Sequence, residues 1–203
     1  KGVDKSATIG SRAGVVQVGY FGSMGQGRLG SFEFLLKCFS LLKSKGVEPK
    51  KRIRIFIRGP RTQITKDLIN LMGAQEYIEV GEVIPYHDTL RIMLEMDYLL
   101  LLGTDIHSYA LPGKLFEYIG ASKPVLAVTP PGQIDDFVSE HQIGYVLTPG
   151  RERDSENAIL SLLEGRKTTF FQKNVSNLAN KYTRRKTAEK TAEILDSFVM
   201  RRT

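Results

Sequence analysis

The sequence predicts an α/β fold: a three-layer sandwich in which a parallel sheet of about six strands carries helices on both faces. Three observations lead there. Short aliphatic runs alternate with longer stretches of helical hydrophobic period along most of the 203 residues. One run, DYLLLL at Asp97 to Leu102, has no polar alternation, as a strand covered on both faces requires. Glycine- or proline-containing turns follow strands, at FGSMGQGRLG and again after DYLLLL.

Val15 to Phe21 reads as the first strand, and Leu29 to Lys45 as a helix with Leu35, Leu36, Phe39 and Leu42 on one face. Ile53 to Ile57 is the second strand. Thr62 caps a helix that runs through Met72 and stops at Gly73, and Tyr77 to Val80 is a short third strand. A helix over Asp88 to Glu95 leads into the central strand Asp97 to Leu102. The same rhythm gives the helix Gly113 to Ala121, strand Pro124 to Val128, helix Ile134 to Glu140 and strand Gly144 to Leu147. From about Asp154 to Met200 the chain reads as covering helices with charged faces, among them Arg184, Arg185, Lys186, Glu189 and Lys190. Residues 1–13 lack apolar periodicity and read as a linker, leaving residues 14–203 as one domain.

A composition of 41% hydrophobic and 25% charged residues is that of a folding globular chain and argues against extended disorder. The single cysteine, Cys38, lies in the apolar run FLLKCFSLL and reads as a buried structural thiol. His87, His107 and His141 are scattered, with no second cysteine, so no protein-held metal is expected. No apolar run reaches the roughly 20 residues of a membrane span, and KGVDKSATIG has no hydrophobic signal core, so the chain reads as soluble and cytoplasmic. The formal net charge of +7 fits a nucleic acid, an anionic membrane surface or an anionic small ligand, and does not choose among them.

Two segments carry chemistry. In SYALPGKLFEYIGASKPVLAVTPPG, residues 108–132, Pro112 and Gly113 open a helix directly after the central strand. Its first free amides then point toward the carboxyl ends of the strands, where parallel sheets bind nucleotides and where a helix N-terminus holds phosphate. Lys114 adds a positive charge in that first turn, and Glu117, three residues on, addresses the same ligand as an acceptor for ribose hydroxyls. The bland alternative for this pair is an exposed i, i+3 salt bridge, which carries no ligand. The second segment is FGSMGQGRLG, residues 21–30. Gly22, Ser23, Gly25 and Gly27 permit close backbone approach, and Arg28 offers a forked guanidinium to phosphate oxygens. Its spacing matches neither GxGxxG nor the Walker GK[ST] ending, so a merely flexible loop is the competing reading.

These residues resemble retaining glycosyltransferases of the GT-B fold, the group 1 or family 4-like enzymes, and specifically their C-terminal donor-binding domain. The resemblance covers nearly the whole chain. KGVD is similar to the family's NGVD, VGYFGSMGQGR to its first donor-binding turn, and IRIFIRGP to the strand and glycine that follow. VGEVIPYHDTLRIMLEMDYLLLL resembles its G-x-V, helix and aspartate-led strand, LPGKLFEYIGASKPVLA its PxKxxEYxAxGKPVxA, and GYVLTPG its GxxVxPG.

The resemblance implies a Rossmann-like three-layer sandwich, the C-terminal half of a GT-B fold, that binds a nucleotide-diphosphate sugar for transfer to an acceptor hydroxyl in polysaccharide or glycolipid biosynthesis. UDP is the favoured nucleotide, and the donor is a substrate; no cofactor is implied. Glu117 would bind the donor ribose, and the amides of Gly113, Lys114 and Leu115, following Pro112, would hold the diphosphate. Arg28 and Lys114 would stabilise the leaving group, with Gly22 and Ser23 lining the donor site. Val83 and Ile84 would flank the nucleobase with Arg58 and Gly59 at the edge. Two positions depart from the family pattern: Ser23 stands where many members have a basic residue, and Tyr109 where they have a second glutamate. Asp105 and Lys114 are the candidate replacements for the missing carboxylate and cation.

The implied partner is an N-terminal acceptor-binding domain, without which little or no transfer is expected. Peripheral association with an anionic membrane would rest on Arg184, Arg185, Lys186, Arg201 and Arg202. A nucleotide-sugar epimerase of the same architecture and a non-catalytic nucleotide-binding module are the rival readings. Nucleic acid is not expected as a partner, because no recognition motif or basic-aromatic array accompanies the charge.

Overall fold

A computed structural model describes residues 14–60 and 63–182. The linker expected over residues 1–13, the cap expected at Thr62, and Arg184, Arg185, Lys186, Arg201 and Arg202 lie outside the described residues.

The six strands are β1 (Val16–Phe21), β2 (Ile53–Arg58), β3 (Ile78–Gly81), β4 (Tyr98–Leu102), β5 (Val125–Val128) and β6 (Gly144–Leu147). All pair in parallel, in the order β3-β2-β1-β4-β5-β6. The chain thus builds outward one way from β1 to β3, then returns to the middle and builds the other way from β4 to β6. Adjacent connections leave β1 and β4 in opposite directions, opening a crevice at their carboxyl ends.

The helices are α1 (Gln26–Ser44), α2 (Pro49–Arg52), α3 (Gln63–Leu71), α4 (Tyr86–Glu95), α5 (Gly113–Gly120), α6 (Gln133–His141), α7 (Glu152–Leu163) and α8 (Thr168–Lys181). The short α2 is an addition to the predicted order; Pro49 at its first position has no amide to lose there. As far as Tyr182 the helical tail is two helices, because Gly165 and Lys167 both adopt positive φ and break the period between α7 and α8; its expected continuation to Met200 lies outside the described residues.

Two apolar cores sandwich the sheet, and β4 divides its side chains between them. Tyr98, Leu100 and Leu102 enter the core under α1 and α7, while Leu99 and Leu101 enter the one under α4, α5 and α6. Every residue of β4 is buried, so DYLLLL lies mid-sheet as its unbroken apolarity predicts. Burying such a side chain fully is worth about 1.5–3 kcal/mol, which makes this strand the anchor of the loop that follows it. Cys38 is buried in the first core, and burial followed by the nearby Glu156 and Glu152 carboxylates pushes its thiol up to about 11. Among the described residues no helix is long and apolar enough to cross a membrane, and no group of acidic, histidine or cysteine residues could hold a metal ion.

Candidate functional site at the β1–β4 crevice

Two helix N-termini open on this crevice. α1 follows β1, with Gly25 at its N-cap in extended backbone, and α5 follows β4, with Pro112 at its N-cap. Neither has a side-chain cap or an acidic residue in its first turn, as is also true of α2 and α8, whereas α4, α6 and α7 carry Asp88, Asp135 with Asp136, and Glu152 with Asp154 at theirs. The positive ends of α1 and α5 are therefore left without an internal anion, as an anion-binding terminus needs. The Leu115 amide donates to the Pro112 carbonyl (3.0 Å), so of the three amides assigned to a diphosphate, those of Gly113 and Lys114 open the helix.

Lys114 bridges the two segments that the sequence analysis treats separately. Its ammonium donates to the main-chain carbonyl of Phe21 at the end of β1, lies 5.8 Å from the centroid of the Tyr118 ring, and is 3.9 Å from Glu117. Burial pushes its pKa down; Glu117 opposes that shift and Arg28 adds to it. Glu117 keeps 42% of its side chain exposed, which leaves carboxylate oxygen accessible at the rim. Beneath them, Tyr118 is fully buried, its hydroxyl donates to the Leu100 carbonyl (3.1 Å), and burial raises its pKa well above the ordinary tyrosine value.

The loop after β1 is held from below. The Tyr20 hydroxyl donates to the Ser23 carbonyl (2.7 Å), and the Gly22 amide donates to the Arg58 carbonyl (2.9 Å). Gly22 has φ +155°, and a Cβ there would press on Lys114 at 3.2 Å from Cε, so only glycine lets the lysine lie across this turn. Gly59 packs so closely that a Cβ would collide with the Gly22 carbonyl. Ser23 itself is exposed.

Arg58 is committed elsewhere. Its guanidinium bonds the Glu79 carboxylate at 2.5 Å, and a Cβ on Gly81 would touch it. The register of β2 against β3, Arg58 opposite Gly81, places it there. Val83 stands 65% exposed beyond β3, and Ile84 packs on the second core. Both follow β3, the edge strand two positions from β1, and neither lines the cavity described below.

A cavity of about 260 Å³ opens between the two helix termini. Arg28, Thr104 and His107 supply its polar side chains, and Leu102, Ile106 and Ile134 apolar wall. Thr104 and His107 were not singled out from sequence; they are brought in by a 3-10 turn, Asp105–His107, whose only local signal is a short polar insertion after an apolar strand. The turn is pinned from behind, where the Gln133 amide donates to the Ser108 carbonyl (2.8 Å) and Gly132 leaves no room for a Cβ. Asp105 and Tyr109 are exposed and do not line the cavity; Tyr109 lies against His107 with ring centroids 6.4 Å apart. A larger groove of about 690 Å³ runs along the outer edge of β6, but it lies away from the strand-order reversal, and its Arg151 and Asp135 pair with each other at 3.5 Å. The smaller cavity lies at the reversal, between the two helix termini, with Arg28 in its wall.

The fold is shared with solved GT-B glycosyltransferases. WaaG, a glycosyltransferase involved in lipopolysaccharide biosynthesis, aligns with a TM-score of 0.67 at 17% identity, over 90% of this chain and 47% of its own. Anabaena Alr3699/HepE in complex with UDP aligns with a TM-score of 0.67 at 17% identity, over 91% and 50%. The C-terminal domain of a glycosyl transferase group 1 family protein (LpcC) from Francisella tularensis aligns at 0.59 and 14% identity, over 82% and 85%. The chain thus spans about half the length of the first two and most of the isolated C-terminal domain. No protein-family model and no curated protein matches it. At these identities the likeness shows the fold: a Rossmann-like α/β domain of the kind that forms the C-terminal half of GT-B enzymes.

Proposed function

We propose that this chain is the donor-binding domain of a glycosyltransferase that uses a nucleotide-diphosphate sugar. One observation carries the reading: two uncapped, acid-free helix N-termini and the cations Lys114 and Arg28 converge where the strand order reverses. The diphosphate would lie on the amides of Gly113 and Lys114, with the Lys114 ammonium beside it and the ribose hydroxyls on Glu117. The UDP bound to HepE, and the UDP and GlcNAc bound to the pneumococcal O-GlcNAc transferase GtfA, support this choice of ligand.

In the proposed transfer, the bond between the anomeric carbon and the diphosphate oxygen breaks with its electron pair left on the oxygen. A new bond forms from that carbon to an acceptor hydroxyl. The fixed amides and Lys114 oppose the charge that builds on the leaving oxygen, an effect for which one removed donor costs about 3 kcal/mol in comparable sites. The acceptor and its proton would be handled by an N-terminal domain, so donor binding without transfer is expected of this chain alone. A role in polysaccharide or glycolipid synthesis, with the basic residues beyond Tyr182 resting on an anionic membrane, belongs to the same proposal.

Calorimetric titration of the 203-residue chain with UDP, GDP and ADP tests it. Saturable binding with UDP tightest is the expected result. Failure of all three nucleotides to bind would overturn the reading.

A further inference from the structure

From the exposed side of α4 we infer that residues 1–13 run along this helix as an extended strap, from the amino end of the sheet up to the crevice. The inference concerns a surface other than the donor site and holds whether or not a nucleotide binds there.

α4 is apolar on two sides, and the described residues cover one of them. Ile92 and Met93, with Met96 just beyond the helix, enter the second core, where Phe21 of β1 and Phe56 of β2 meet them. Tyr86, Leu90 and Leu94 recur at every fourth residue along another side and stay 67%, 37% and 58% exposed. Val83, three residues before Tyr86, is exposed as well. An apolar row of this length, rimmed by Asp88, Arg91 and Glu95, marks a surface that another segment covers.

Residues 1–13 join the sheet at the foot of this row. α4 connects the carboxyl end of β3 to the amino end of β4, so it runs against the strands and crosses β2 and β1 on the way. Its end sits on β1, where a Cβ added to Gly19 would press on Met96. One residue further on, the Asp97 amide donates to the Gln17 carbonyl (2.9 Å) and the Gln17 amide donates to the Asp97 carboxylate (2.8 Å). The chain that precedes β1 therefore leaves it beside the last turn of α4, with Leu94 the first apolar side chain in its way.

Length and spacing both fit. At about 3.3 Å per extended residue, residues 1–13 span up to about 43 Å, whereas the ten residues of α4 rise about 15 Å, so the strap reaches the crevice. All four apolar residues of the segment, Val3, Ala7, Ile9 and Ala13, stand at odd positions and share one face of an extended chain, together with Lys5 and Ser11. Asp4, Ser6, Thr8 and Arg12 take the other face, toward solvent. Ile9 and Ala7 are about 6.6 Å apart along such a chain, and Leu94 and Leu90 about 6 Å apart along α4. This pairs Ile9 with Leu94 and Ala7 with Leu90, and leaves Val3 for Tyr86 and Val83. The amino end of the strap then comes up at the carboxyl ends of the strands, the side on which the candidate donor site opens.

The other end of the described chain is placed less well for this role. Tyr182, after α8, packs on Phe116 of α5 and Phe137 of α6 at ring-centroid distances of 5.7 and 6.0 Å, which puts α5 between it and α4.

Paired cysteines in the 203-residue chain test the strap. In Ile9→Cys/Leu94→Cys, mild oxidation should form an intramolecular disulfide, assigned by peptide mass so that buried Cys38 is not mistaken for either partner. Ile9→Cys/Ile64→Cys should not link, because Ile64, 54% exposed, lies on α3 across the sheet. The thiol of Leu94→Cys should react with a maleimide about tenfold more slowly than that of Ile64→Cys, and adding Ile9→Asp should restore most of the rate. Leu94 and Ile64 contribute to neither core, so these variants fold. Absence of a link between positions 9 and 94, or equal labelling of the two single thiols, overturns the strap. A link from Phe198→Cys to Leu94→Cys in its place would give the row to the carboxyl-terminal segment, and disulfide dimers that grow with concentration would give it to a second copy; either result also overturns it.

Discussion

The ammonium of Lys114 donates to the carbonyl of Phe21, so the first turn of α5 is fastened to the end of β1 across the strand-order reversal. Partial burial of this cation lowers its pKa, with Glu117 opposing and Arg28 reinforcing the shift. A bound diphosphate favours the charged form and raises that pKa again. Binding is therefore strongest where the free protein is already protonated and weakens as pH rises through the depressed value, the range in which forming the complex takes up protons. Calorimetry of UDP binding in two buffers of different ionisation heat should show this uptake in the wild type and little of it in Lys114→Arg, which stays charged. Identical proton uptake in both proteins would remove Lys114 from the anion site.

Gly59 and Gly25 separate fold from ligand. A Cβ at Gly59 collides with the Gly22 carbonyl, which is main chain and cannot give way, so Gly59→Ala should destabilise the domain by about 1–3 kcal/mol in urea unfolding. At Gly25 φ is −71° and nothing lies within 4 Å of an added Cβ, so Gly25→Ala should unfold as the wild type does. Gly25 nonetheless lines the cavity, and its new methyl should weaken binding of a sugar nucleotide. Equal stability of the two variants would show that the β1 and β2 loops are not packed as described.

Cys38 should be inert in the native protein. With its thiol pushed up to about 11, the reactive thiolate is scarce at neutral pH, and the side chain is buried between α1 and the sheet. Modification by a thiol reagent should follow the unfolding curve in urea; rapid labelling without denaturant would contradict a packed first core.

Much of this was legible in the sequence where the information is local. DYLLLL marks a central strand because a parallel strand buries both faces, and the division of Leu99 and Leu101 from Tyr98, Leu100 and Leu102 follows from its period of two. Pro112-Gly113 marks a helix start for equally local reasons, and the helix begins there. Contacts made across the sheet were not legible. That Arg58 is occupied by Glu79 and stacked over Gly81 depends on the register of β2 against β3, which no local pattern encodes. Likewise Thr104 and His107 line the cavity on a turn that is tied from behind by the Gln133 amide, on a helix beyond the next strand, through its bond to the Ser108 carbonyl. The link from Lys114 to Phe21 joins residues far apart in sequence, and neither motif alone implies it.

Glu117 distinguishes a nucleotide site from an ordinary helix terminus. It stands one turn into α5 with 42% of its side chain exposed, 3.9 Å from Lys114, a distance too long for a strong ion pair. If it receives ribose hydroxyls, Glu117→Gln removes a charge-assisted hydrogen bond while keeping the shape, and UDP binding should weaken by about 1.5–3 kcal/mol, roughly ten- to a hundredfold. If instead it serves only Lys114, the same change should cost at most about 1 kcal/mol of stability, as exposed pairs do, and leave affinity unaltered. The deoxyribose nucleotide supplies the control. Wild-type protein should prefer UDP over its 2′-deoxy form, and the variant should prefer it much less, because the lost acceptor is the one that reads the hydroxyl. Loss of UDP affinity with the ribose preference intact would mean that the charge acts at long range through Lys114. Unchanged affinity and unchanged preference, at wild-type thermal stability, would take Glu117 out of the site.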